Sequence, residues 1–570
     1  MRKLFERLPL QFRVLYRQFL LRVVDLEALS IEADIPRFLG QFAGVLIMFS
    51  VIQALVLLIH PIMTPAETLS MLWHSEQLLI ATIMLVTGLI AVVAWDNIFP
   101  DKRDVMVLGP LPVRPRVILL AKVAASGAVL ALAVFSLNIA VGIVLPLIQG
   151  GLLRFVPNAL AYWFTMTAAS AFIYGSVLAL QGFGALLLPR KMFLRVSGVL
   201  QFGSFIFFLG AYFLLPYLAT PAALTAAEDQ KLLGWSPSFW FFAMFNQLNG
   251  TLPTSLNWVA ERAWIGLGVV GITAAAALLL CYLRTMKKTV EEPDLVPGVR
   301  GLHWMPRFGS LLQSAVVVFS IRSLARSKHH RVAYAFYLAI VIAIGFSALK
   351  HLLAIPAPRP PTTDYLIATF MMMSVAVIGL RSIFSLPISL RANWVLRTTQ
   401  ISPPERYISA TRWALILLGF FPVWLCAALM SLCFRPISLS AAHLILLTLV
   451  GLILADLSLI GVSKIPFACS YLPGKTNIQY VFWFFILALS SIAIYLGRYE
   501  QRTLHDRARY LELIGILVAL DLGVWAFNRV RAKSATLSFE ELPVEVITTL
   551  GLNVVRPHTQ MVATEEVHLS

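Results

Sequence analysis

Leu39-Gly-Gln-Phe-Ala-Gly-Val-Leu-Ile-Met-Phe-Ser-Val-Ile-Gln-Ala-Leu-Val-Leu-Leu-Ile-His60 runs for 22 residues without an Asp, Glu, Lys or Arg. Coiled as an α-helix it is about 33 Å long, enough to cross a hydrocarbon layer of roughly 30 Å. Its apolar residues fall on every side, so no face is suited to water. Runs of the same kind follow at 77–95, 123–147, 159–188, 195–217, 262–283, 333–354, 366–386, 412–432, 440–462, 478–497 and 510–528. The 159–188 run is long enough to tilt or to break at Gly182 and Gly184. Of the 570 residues, 59% are apolar and 13% charged, about half the charge of an ordinary soluble domain. Such a chain cannot cover its own surface in water. The reading is an all-α polytopic membrane protein with about twelve transmembrane helices, and a soluble enzyme is excluded.

The net charge of +17 has its origin in the loops. With the N-terminus placed in the cytoplasm, Lys and Arg gather in 1–38, 96–122, 284–332 and 387–412, all on the inner side. That bias orients membrane proteins and meets anionic headgroups. The expectation is a multi-pass protein with the bilayer as partner, both termini cytoplasmic and no role for nucleic acid. One segment disagrees: 498–509 carries Arg498, Arg502, Arg507 and Arg509 on the outer side, with Glu500 and Asp506 to compensate or a different arrangement of the last two spans. The first apolar run begins behind a charged stretch, unlike a cleaved signal peptide. The four cysteines, Cys281, Cys426, Cys433 and Cys469, form no CxxC pair, so neither a disulfide framework nor a zinc site is indicated.

Two stretches are amphipathic. Residues 8–28 set Leu10, Phe12, Leu15, Phe19, Val23 and Leu26 among Arg13, Arg17 and Arg22. Residues 308–331 set Leu311, Leu312, Val316 and Phe319 beside Arg322, Arg326, Lys328 and Arg331. Helices of this kind lie in the headgroup plane, and each leads into a spanning helix. A shift of 290 residues carries the first three spans close to the seventh, eighth and ninth. The chain therefore divides into an amphipathic segment 1–38, a six-helix half 39–283, a basic linker with a second amphipathic helix 284–332, a second six-helix half 333–528 and a polar tail 529–570. Six is even, so the halves enter from the same side as a parallel repeat.

Segment 96–122 holds Asp104-Val-Met-Val-Leu-Gly-Pro-Leu111-Pro112-Val-Arg114-Pro-Arg116-Val-Ile-Leu-Leu-Ala-Lys122. Proline fixes φ and stiffens the turn. Two readings stand: a rigid cytoplasmic knob that passes force from a soluble partner, or a short loop carrying orienting charge. The second copy runs from Asn393 through Pro403, Pro404, Arg406 and Arg412 and lacks the acidic residue. The first run resembles the loop of ABC-2 type transporter permeases, with its acidic residue, leucine-proline step, basic pair and Ala-Lys ahead of the third helix. The order of amphipathic helix, two spans, loop and four spans is similar as well. The aromatic segment 236–250 fits the short outer helices which that family carries between its fifth and sixth spans, and the second half has no counterpart. The resemblance implies two fused permease halves in a cell (inner) membrane, driven by a separate cytoplasmic ABC ATPase, likewise expected as a dimer, that contacts Asp104, Leu111, Pro112, Arg114, Arg116, Lys122, Pro403, Pro404, Arg406 and Arg412. ATP would be bound by that partner and no cofactor by this chain.

Residues Cys469–Thr476 come nearest to a nucleotide-binding loop, but have Cys for the first Gly and a Pro inside, so the amide cradle for phosphate is not expected. HExxH and GxSxG are absent, and His329-His330 is read as basic charge. Inside the spans, Asp456, Asp521 and Arg381 each carry a bilayer cost of at least ~2.5–3.5 kcal/mol. They serve either a substrate or proton path, the alternative being an ion-coupled transporter using Asp456 or Asp521, or an interhelical pair such as Arg381 with an aspartate. Asn138 is expected to hydrogen-bond between helices.

Overall fold

The computed structural model describes residues 9–24, 35–63, 68–95, 108, 110–220, 224, 233–291, 310–354, 360–386, 404–460, 467, 478–504 and 506–534. Among them there is no strand. In chain order the helices are α1 (Leu10–Val24), α2 (Ile35–Met63), α3 (Thr68–Val93), α4 (Pro115–Asn138), α5 (Val141–Gly150), α6 (Phe155–Leu187), α7 (Arg190–Leu218), α8 (Pro237–Asn249) and α9 (Asn257–Glu291). They continue as α10 (Leu311–Arg326), α11 (Lys328–Ala354), α12 (Thr363–Phe384), α13 (Pro404–Leu415), α14 (Phe421–Ser431), α15 (Ile437–Ser458), α16 (Ile478–Thr503) and α17 (Arg507–Ser534).

Eleven helices among the described residues are long and apolar enough to cross a membrane. The protein is therefore an all-α, multi-pass membrane protein. The sequence reading had about twelve spans. The difference is 478–497, which lies in α16 and is not one of the eleven.

Two of the runs are interrupted, and one that could tilt or break is continuous. The run 123–147 is not one helix. It breaks after Asn138, whose amide nitrogen turns back to the Val134 carbonyl at 2.8 Å. Ser50 on α2 then accepts the backbone N–H groups of Ala140 and Val141 at 3.1 and 3.4 Å, satisfying donors that a helix start leaves open. The run 159–188 is unbroken, since α6 passes through both glycines. The run 412–432 contains a wide turn, Ile416–Phe420, of π type. Pro422 follows it. A proline there would collide with the carbonyl one turn earlier in a regular α-helix, and the widened turn accommodates it.

In the first half α1 lies on α4, with Leu15 and Phe19 buried against Ile118, Ala121 and Ala125. Helix α3 packs on α6 and α7, and α9 on α6. The aromatic segment forms α8, too short to cross. Phe239, Phe241, Phe242 and Phe245 are buried on it, and it sits among α3, α6 and α9. Gly250, at φ 72°, closes it in the left-handed region that glycine enters freely.

In the second half α10 lies on α13, and α12 packs on α15 and α16. Ser310 and Gln313 cap α10 reciprocally, and the Gln313 amide donates to the Ser409 hydroxyl at 3.1 Å. The wide turn in α13–α14 brings Phe420 against α15 so closely that a Cβ on Gly451 would collide with its ring. Helix α7 meets α11, through Phe205, Leu209, Ala335, Phe336 and Ala339.

Candidate functional site

The proline-rich turn is the exposed approach to the first half. Leu111, Pro112, Arg114 and Arg116 are solvent-accessible. The turn is closed by Leu111 N–H to the Leu108 carbonyl (3.2 Å) and Val113 N–H to the Leu111 carbonyl (2.7 Å). Pro115 opens α4 directly behind it. Lys122 is not part of that exposed surface. It is 2% exposed, and its ammonium lies 5.1 Å from the Phe19 ring centroid on α1, which attracts a cation through the ring face. Asp104 and Pro403 lie outside the described residues, as does Cys469–Thr476. Pro404 opens α13 and Arg406 follows in its first turn.

Arg412 points into the bundle. Its Nε and a terminal nitrogen donate to Asp456 Oδ1 and Oδ2 at 2.6 and 2.9 Å. The pair links α13 to α15, and Asn528 on α17 donates to the Asp456 carbonyl at 2.7 Å. Of the two readings left open for Asp456, the structure has an interhelical pair, and its partner is Arg412 in place of Arg381. Arg381 donates to the Ser458 carbonyl at 2.9 Å. Asp521 is partly buried, and its Oδ1 receives no hydrogen bond. Asn138 is interhelical as expected, accepting from the Tyr162 hydroxyl of α6 at 2.6 Å.

Two further polar clusters escaped the sequence reading. In the first, Glu76 of α3 is 1% exposed. Gln149 of α5 donates to its Oε1 at 2.6 Å and Asn246 of α8 to its Oε2 at 2.9 Å. In the second, His443 of α15 meets Glu500 of α16 at 2.8 Å through Nδ1, and both are fully buried. Its Nε2 lies 2.9 Å from the Thr369 hydroxyl of α12. This hydroxyl–imidazole–carboxylate order is not a nucleophile relay. Thr369 is fully buried and its hydroxyl is occupied by the Tyr365 and Leu366 carbonyls of its own helix.

Glu500 therefore does not compensate the arginines of 498–509. Only 504–506 separates α16 from α17, and Asp506 pairs with Arg509 at 3.2 Å. His330, read as surface charge, is 1% exposed. It is bonded to the Ser327 hydroxyl and the Leu386 carbonyl at 2.6 and 2.9 Å. Among the described residues no three His, Cys, Asp or Glu side chains converge as a metal site would need.

Apart from these clusters, an apolar cavity of about 350 Å³ lies between α11, α12 and the widened α13–α14. Tyr337, Val341, Gly345, Met372, Gly419 and Val423 are among its lining residues. None of the buried carboxylates reaches it.

A bundle of spanning helices tied by buried polar clusters, with one stiff exposed turn, defines the class: a multi-pass α-helical membrane protein. Compared with known proteins, the chain matches no family model, no curated protein and no solved structure.

Proposed function

We propose that the chain is the membrane-spanning permease of an ATP-driven, ABC-type exporter, worked by a separate cytoplasmic ATPase subunit. The observation that carries the reading is the mounting of the exposed turn at 110–114. It stands at the head of α4, and the amphipathic helix α1 is packed along the same helix. A push on the turn moves α4 and α1 as one body, because packed interfaces shift as units and do not deform continuously. The second half supports the same reading, with Pro404 at the head of α13 and α10 packed along it. Helix α3 packs on α6 and α7, and α12 on α15 and α16, which supports two units of one plan; with α16 as a twelfth crossing, the units enter the same way up and both termini are cytoplasmic. ATP would be held by the partner, and the cargo would pass between the halves as they alternate access.

The ion-coupled alternative is favoured by one observation, the unpaired Oδ1 of Asp521. Asp456 serves it poorly, because its carboxylate is committed to Arg412.

Pro112→Ala combined with Arg114→Glu tests the proposal. Both side chains are exposed, so folding and insertion should be unchanged. Transport in reconstituted vesicles should fall about tenfold, some 1.4 kcal/mol of coupling, while ATP hydrolysis continues. Transport at the normal rate would refute a coupling role for this turn.

A further inference from the structure

We infer that Glu76 is a proton-binding site: a carboxylic acid kept neutral beneath α8, with an amide chain leading from it toward the protein surface. The inference goes beyond the exporter reading and does not depend on it.

The first ground is the company Glu76 keeps. It is 1% exposed on a spanning helix, where an ionised carboxylate needs a cation or several charge-assisted bonds. Its hydrogen-bond partners, Gln149 and Asn246, are neutral. The titratable groups on the surrounding elements are directed elsewhere. His74 meets the Ala219 carbonyl at 2.6 Å. Arg262 of α9 donates to the Gly234 carbonyl at 2.8 Å and lies over the Trp258 ring. The Tyr162 hydroxyl of α6 is given to Asn138. Arg154 and Glu261 are exposed.

The second ground is geometry. The contact between Gln149 and Glu76 Oε1 is 2.6 Å, and a short hydrogen bond of that length serves either polarity, since N–H donors elsewhere in the fold make it too (Trp240 Nε1 to the Gly234 carbonyl, 2.6 Å). The two ends of an amide have almost the same shape, so the surrounding network decides which end is oxygen. With a proton on Glu76 Oε1, the acid donates to the Gln149 oxygen. The Gln149 nitrogen then donates along the 3.2 Å contact to Asn249, with that amide reversed as well. Asn249 is half-buried, and one atom of its amide is buried without a hydrogen bond. That atom is the open end of the chain in either polarity. Loss of the proton turns both amides round, so the chain Glu76–Gln149–Asn249 transmits the charge of Glu76 to the C-terminal end of α8. Asn246 holds the other oxygen throughout, fixed by the Thr251 hydroxyl at 2.8 Å.

Infrared spectroscopy of the full chain in lipid nanodiscs, with ¹³C-glutamate labelling, reads the proton directly. At neutral pH an isotope-shifted band of a protonated carboxylic acid is expected, absent in Glu76→Gln. Gln149→Leu should move that band, because the acid loses its acceptor; this second variant serves if Glu76→Gln does not fold. Glu76→Gln reproduces the donor and acceptor pattern of the acid and should unfold within about 2 °C of the parent protein. Absence of a protonated-glutamate band at neutral pH would overturn the inference. So would a parent unfolding midpoint raised by sodium and not by choline, an effect lost in Glu76→Gln, since the carboxylate would then hold a metal cation in place of a proton.

Discussion

Asp456→Ala is expected to destabilise the protein by about 3 kcal/mol. Asp456 is 1% exposed and grips both edges of the Arg412 guanidinium. The fork-to-fork geometry makes this among the stronger kinds of ion pair. Removal of the carboxylate leaves a guanidinium directed into the bundle, and the loss comes mainly from that stranded charge. Arg412 is 25% exposed, which keeps the cost at the low end of the range for buried pairs. The reverse change, Arg412→Ala, strands the more deeply buried partner and should cost more, about 4 kcal/mol. Arg412→Met with Asp456→Leu should recover most of the loss, because two apolar side chains leave nothing unpaired. Equilibrium unfolding in mixed micelles measures all three. A single variant within about 0.5 kcal/mol of the parent would mean that the pair does not hold α13 to α15.

The second large effect belongs to His443→Leu. Glu500 is fully buried, its Oε1 accepts from or donates to His443, and its Oε2 has no hydrogen bond. Without the imidazole the carboxyl group is left without the partner of its Oε1, at about 3 kcal/mol. Thr369 also loses the contact to Nε2. Glu500→Gln should cost far less, about 1 kcal/mol, because an amide still bonds to the ring. The ratio between the two variants is the informative quantity. Equal losses would show that packing of the ring against Tyr365 and Phe370, and not the hydrogen bond, sets the value.

The spans were legible because a bilayer imposes a length and a composition on every one of them. The amphipathic helices were legible because arginines recur at helical spacing among Leu and Phe. What the sequence concealed depends on which side chains meet. Arg412 read as a loop cation because it stands two turns from Pro404, yet α13 runs straight into the membrane and carries it to Asp456. Glu76 lies one residue outside the apolar run 77–95, so nothing in the sequence singled it out. Only the fold brings α5 and α8 over it. Glu500 stood among arginines that looked like its partners, and the helix α16 turns it the other way, toward His443. His330 sat in a basic run and is buried by Phe467, whose ring lies 5.0 Å away. The break after Asn138 was hidden for a different reason. Ser50, which satisfies the freed amides, is 90 and 91 residues distant from them in the chain, and an apolar run reads as continuous whether or not its backbone is.

Transport as proposed depends on an external motor gripping the stiff turn at 110–114. Affinity purification of the full chain from its native membrane in mild detergent asks whether that motor is there. The expected result is a nucleotide-hydrolysing subunit that comes with the chain and stays with it in the Pro112→Ala, Arg114→Glu variant, where hydrolysis goes on without matching transport. A preparation that carries no such subunit, yet moves its cargo when reconstituted alone, would contradict it.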